Sequence, residues 1–170
     1  MENRYTNNLA DVQPEPTGLS SWYEDIFGKV GDTISGGVKK IDETNANIKT
    51  TNETVNKKIK ACLKHGLTPI ICVGENLQER EAQNTFKVIQ DQIKGSLADI
   101  SAEDMFKTVI AYEPVWAIGT GKTAAPDQAQ EVHKYIRDLL RKMYTEEVAE
   151  SVRIQYGGSV KPENIVELMN

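Results

Sequence analysis

"VIAYEPVWAIGTGKTAAP", residues 109–126, runs from a β-branched apolar stretch through a single carboxylate, Glu113, into a glycine-rich loop that ends at Pro126. The first four residues have the composition of a buried strand, and a proline suits the first position of a helix. The loop between them admits three readings: a nucleotide cradle, a phosphate grip beside a base, or a plain turn before a helix. Which of them holds depends on what the same pattern does elsewhere in the chain.

The pattern recurs on either side. "TPIICVG" (68–74) is short, apolar and β-branched, as expected of a strand buried on both faces of a parallel sheet. It is preceded by a predicted helix over Glu53 to His65, with Val55, Ile59 and Leu63 on one face, His65 in the last turn as a dipole-favoured cap, and Gly66 as terminator. A helix is expected from Leu77 to Leu97 with Phe86, Ile89 and Ile93 facing inward, and another from Pro126 to about Met143 with Val132, Ile136, Leu139 and Leu140 as its apolar stripe. "RIQYGGS" (153–159) reads as a third strand, and Pro162 as the start of a last helix. Alternating strands and helices imply an α/β fold with a parallel sheet and right-handed crossovers, so that every loop after a strand lies on one edge.

The first part of the chain reads differently. Residues 1–18 are polar and carry Pro14 and Pro16, which suggests a flexible lead. Leu19, Trp22, Ile26, Val30, Ile34, Val38 and Ile41 recur at helical spacing, interrupted by Gly28, Gly31, Gly36 and Gly37. "TNANIKTTNETVN" (44–56) reads as a linker into a capped helix. The expected division is an extension over 1–51 and an α/β unit over 52–170. A formal charge of −5 provides no basic field for nucleic acid or anionic membranes. Cys62 and Cys72 lie without a CxxC spacing and read as reduced thiols, and two histidines are too few for a histidine-rich metal site. The N-terminus has no secretory apolar core, and no apolar run approaches the roughly 18 residues of a membrane span. A cytoplasmic location is expected.

Three strand-end loops carry groups capable of chemistry: Glu75 in "VGEN", Glu113 in "EPVWAIGTGKT", and Ser159 in "YGGSV". Gly119, Gly121, Gly157 and Gly158 let backbone N–H groups approach an anion. A Walker A loop fails, because Trp116 stands where its first glycine belongs. Gly119, Gly121 and Ala124 match a relaxed dinucleotide pattern, but no acid ends the next strand to bind a ribose. Two glycine loops beside a strand-end carboxylate instead suggest a phosphorylated substrate placed against a general base.

Residues 52–170 resemble the later part of the triosephosphate isomerase family. "AYEPVWAIGTGKTA" is similar to that family's catalytic loop, "YGGSV" to its phosphate loop, and "KHGLTPIICVGENLQERE" to the segment before them. The resemblance implies a partial TIM (β/α)8 barrel of about three βα units, and interconversion of glyceraldehyde 3-phosphate and dihydroxyacetone phosphate in glycolysis, without metal or cofactor. It implies that Glu113 is the base and that Pro114, Val115, Trp116, Ala117, Ile118, Gly119, Thr120, Gly121, Lys122 and Thr123 form a lid. Gly119 and Ser159 would grip the phosphate, Tyr156, Ser159 and Ala124 would hold the closed lid, and Glu75 would support the site from behind. The family's Asn-x-Lys pair is not found, Ile41 falls where its electrophilic histidine belongs, and its eighth strand does not appear. A complete barrel takes about 250 residues, against 170 here. The expectation is therefore an isomerase-family chain inactive by itself. The alternatives are a non-catalytic scaffold that recruits a partner, and a half-site completed by self-association or a complementing chain.

Overall fold

The structure, a computed structural model, describes residues 46–169. The polar lead and the periodic stretch from Leu19 to Ile41 lie outside the described residues. Within them, helix α1 (Ala46–Lys64) precedes strand β1 (Ile70–Val73), helices α2 (Leu77–Glu81), α3 (Thr85–Ser96) and α4 (Ala102–Met105), and strand β2 (Val109–Tyr112). Then come α5 (Pro126–Met143), α6 (Glu146–Ser151), strand β3 (Arg153–Tyr156) and α7 (Ile165–Met169), with a single 3₁₀ turn at Val115–Ala117.

The strands form one parallel sheet in the order β1-β2-β3, in register at Ile70↔Val109↔Arg153 and Val73↔Tyr112↔Tyr156. Strand residues alternate between faces. Ile71, Val73, Ile110, Tyr112, Ile154 and Tyr156 therefore share the face that packs on the helices. There they meet Ile59 of α1, Ile89 and Ile93 of α3, and Val132, Ile136 and Leu140 of α5. The opposite face carries Ile70, Cys72, Arg153 and Gln155, all exposed. β1 is thus buried on one face only, not on both as its unbroken apolar composition suggested. Composition records that a residue can be buried, not that a second layer is present.

Local chemistry explains where the helices begin and end. Pro126 starts α5, Asp127 lies in its first turn, and Arg141 and Lys142 lie in its last, each suited to the helix dipole. The helix expected over Leu77–Leu97 is two helices. Asn76 caps α2 through a reciprocal pair with Glu79. The chain then breaks at Gln83, which takes a left-handed φ of 59°, and α3 restarts at Thr85. Ile89 and Ile93 face the core as expected, whereas Phe86 is exposed and lies against the Tyr135 ring at 4.7 Å. The short helices α4 and α6 had no periodic stripe to announce them. Each is capped by a hydroxyl: Ser101 accepts from the Asp104 N–H and Thr145 from the Val148 N–H. The last helix begins at Ile165, three residues beyond Pro162.

α1 begins within the stretch that reads as a linker. Asparagine favours loops because its amide competes for backbone partners, but here those amides serve a neighbouring helix. The buried Asn56 donates to the carbonyls of Ser96 and Ala98 at 2.8 Å each, where α3 ends. Asn52 donates to the Asp91 carbonyl at 3.0 Å. Gly95 makes this approach possible, since a Cβ there would lie 2.6 Å from Asn52. Losing one buried and one part-buried bond at once takes this donor from two carbonyls. Asn56→Ala is expected to destabilise the fold by about 2 kcal/mol, read as a lower urea midpoint at unchanged slope.

Candidate active site

The loops after β1, β2 and β3 meet at the carboxyl edge of the sheet, where α/β proteins build their sites. Glu113 immediately follows β2. Its N–H donates to the Val73 carbonyl at 2.8 Å, which continues the sheet one step beyond the paired strands. Two glycines make room for it. A Cβ on Gly74 would sit 2.0 Å from the Glu113 carbonyl oxygen, and one on Gly157 would sit 2.7 Å from Glu113 Oε1. The Glu113 side chain therefore lies directly against the "YGG" turn. The Cys72 thiol neighbours the same carboxylate from the open face; burial pushes the thiol up, and the Glu113 charge pushes it further.

Glu75 lies behind this edge and has no solvent exposure. Its carboxylate accepts from Tyr112 Oη at 3.1 and 3.2 Å and from Trp116 Nε1 at 3.0 Å, and Arg80 lies 3.5 Å away. The Glu75 carbonyl accepts from the Val115 N–H at 2.9 Å. One residue thus anchors the 3₁₀ turn at the start of the lid through both its backbone and its side chain. Burial, with the Glu75 charge added, pushes the Tyr112 phenol well above its ordinary value.

The lid closes on itself and on the third loop. Thr120 Oγ1 donates to the Trp116 carbonyl at 3.0 Å and accepts from the Lys122 N–H at 3.2 Å. Gly119 and Gly121 take φ values of +70° and +80° at the exposed tip, a conformation that favours glycine. Ile118 packs over the third loop, where a Cβ on Gly158 would lie 2.8 Å from its Cγ1. Ala117 and Ala124 are buried, while Val115 and Ile118 remain exposed. At the far end, Tyr156 Oη accepts from the Ala124 N–H at 2.9 Å and lies 2.6 Å from Ser159 Oγ.

Glu113, the lid from Pro114 to Thr123, Ala124, Tyr156 and Ser159 are therefore brought to one edge, with Glu75 behind them. Sequence reasoning missed Gln92 of α3, whose amide exchanges two hydrogen bonds with the Gly74 backbone at 2.9 and 3.0 Å and fixes the end of β1. It missed Cys72 as a neighbour of Glu113, for which strand register is the needed signal. It also missed Asn164, which bonds to both the lid and the third loop. Neither described histidine joins the site. His65 follows the end of α1, on the edge where the strands begin. His133 packs edge-on to Tyr112 at 6.2 Å on the helix side of the sheet. The next helix, α7, has only five residues and begins six residues after Ser159, so its dipole adds little to this loop.

The titrating groups around Tyr112 set a pH dependence. Folding raises the Tyr112 phenol, so the unfolded chain gives up that proton first, and stability is expected to fall as pH rises past about 10. Tyr144, raised by burial, adds to the same limb. Burial, then the nearby Arg137, lowers His133, so stability is also expected to fall as pH drops below about 6.5. Urea midpoints measured across this range should give a dome, with the alkaline limb flattened in Tyr112→Phe and the acid limb in His133→Gln.

Comparison with known proteins places this geometry. The family model described as triosephosphate isomerase matches residues 42–170. A triosephosphate isomerase of Endomicrobium trichonymphae is 61% identical over 119 residues, covering 70% of this chain and 47% of that protein. One of Geobacter metallireducens is 57% identical, over 71% of this chain and 48% of its own length. One of Finegoldia magna is 54% identical over 97% of this chain and 70% of its own. That last alignment extends into residues 1–51, upstream of where the family model begins. The chain spans about half the length of the first two relatives. No helix among the described residues is long and apolar enough to cross a membrane. With a family model over most of its length, relatives above half identity and three parallel βα units in sequence, the chain belongs to the triosephosphate isomerase family.

Proposed function

We propose that this chain carries the base and the phosphate-gripping part of a site that interconverts glyceraldehyde 3-phosphate and dihydroxyacetone phosphate. The observation that carries the reading is the Glu113 carboxylate held against Gly157, between the lid and the "YGGSV" loop. Glu113 takes a proton from the carbon beside the carbonyl and returns it to the neighbouring carbon. The net change is one hydrogen moved between two carbons and one proton moved between the two oxygens they carry, with no electrons exchanged with a partner. The phosphate is received by the N–H groups of Gly119 and Ser159, with the lid folded over it to exclude water. Tyr156 and Ala124 hold the lid, and Glu75 holds Trp116 at its root.

Proton transfer beside a carbonyl also needs a group that polarises the carbonyl oxygen. Neither described histidine lies at this edge, so turnover by the chain alone is slow. Among the described residues β1 and β3 each pair only with β2, and Ile70 is 57% exposed on the open face. Unpaired strand edges beside an apolar face favour pairing with further strands. We propose that a strand pairing at these edges, from a complementing chain or a second copy, brings a further wall and a polarising group together.

Isomerisation by the purified chain, followed across a concentration series, tests both parts. Glu113→Gln keeps the shape and removes the base, and is expected to lower turnover by about 10²–10⁴-fold. Equal rates in the two proteins would overturn the base assignment. Specific activity is expected to rise with concentration, and a constant value would exclude complementation between copies.

A further inference from the structure

We infer that Asn164 is a positioning residue that straps the C-terminal end of the lid to the phosphate loop. The inference rests on the functional reading above for the roles of those two loops, but its geometry is independent of it. The Asn164 Nδ2 group donates to Thr123 Oγ1 at 3.1 Å and to the Ser159 carbonyl at 3.0 Å. Its Oδ1 accepts from the Lys161 N–H at 2.7 Å. Thr123 Oγ1 in turn lies 3.4 Å from the Ser159 carbonyl. One carboxamide, half-buried, uses both its donors and its acceptor to join a lid residue, the carbonyl of the residue assigned to grip phosphate, and the turn that leads into α7.

This strap is distinct from the one formed by Tyr156. Tyr156 Oη holds the lid by the Ala124 N–H, one residue further along the chain. Asn164 holds it by a side chain, and by engaging the Ser159 carbonyl it also fixes the direction in which the chain leaves the phosphate loop. Opening the lid at this end requires both straps to be exchanged for water. Asn164 therefore sets how often the lid end opens and how well the Ser159 backbone is aligned for an anion. Removing the two donors while keeping the acceptor separates this role from simple capping of the turn, because the Lys161 bond needs only Oδ1.

The test is amide hydrogen exchange on the full chain, reading the Ala124 N–H against the Ile110 N–H in β2 as an internal control. In both Asn164→Ala and Asn164→Asp the Ala124 amide is expected to exchange on the order of tenfold faster with Ile110 unchanged, as loss of a net hydrogen bond implies. In a Thr123→Val background the same Asn164 substitutions are expected to add little further acceleration. Unchanged exchange, acceleration in Asn164→Ala alone, or full additivity with Thr123→Val would each overturn the strap and leave only a cap on the turn. A titration with inorganic phosphate, read from Trp116 emission in a Trp22→Phe chain, should show weaker binding in either Asn164 variant. If the parent binds no phosphate, the phosphate-site reading falls, while the exchange result still decides the strap.

Discussion

A carboxylate sealed from solvent has to be met by donors, and meeting Glu75 organises the whole carboxyl edge of the sheet. Its partners come from three separate places: Tyr112 at the end of β2, Trp116 at the root of the lid, and Arg80 in α2. An unpaired buried charge is strongly destabilising, so these segments cannot drift apart independently. The phenol of Tyr112 stays protonated because it donates to that charge in a buried setting. The same contact that satisfies the core thus fixes the turn with which the lid begins, directly after the base.

The base is held by a different means, through what is left out. Gly74 and Gly157 offer no Cβ on either side of Glu113, so backbone and carboxylate occupy space that any other residue would fill. Gln92 then satisfies the Gly74 backbone from α3, and the base stands on a strand end that is bonded on both sides. The lid contrasts with this rigidity. Its two ends are tied down, by Glu75 at Val115 and Trp116 and by Tyr156 and Asn164 at Ala124 and Thr123. Its tip carries exposed Ile118 and two left-handed glycines. Fixed ends with a loosely packed tip are what a loop needs in order to close over a ligand and reopen.

Much of the architecture was legible from residue order. The α5 stripe at Val132, Ile136, Leu139 and Leu140 is buried as its spacing required, and the three strands lie where the β-branched runs predicted. Motif and resemblance together point to one edge for Glu113, Ser159, Tyr156, Ala124 and Glu75. The misreadings have different causes. Gln83 split a helix that periodicity ran together, through a left-handed φ that no periodic pattern records. The asparagines at the start of α1 looked like a linker, but there a local preference was outweighed by partners distant in the chain, the carbonyls of Ser96 and Ala98 at the end of α3.

The sequence by itself determined the order of the βα units, the edge on which their loops gather, and the family, because periodicity and contiguous motifs are properties of the chain read in line. Only the tertiary structure decided that β1 is covered on one face, that Cys72 neighbours Glu113, that Gln92 secures the end of β1, and that Asn164 joins Thr123 to Ser159. Those contacts link residues far apart in the chain or set by strand register, and no local pattern encodes the direction in which a single side chain finds its donor.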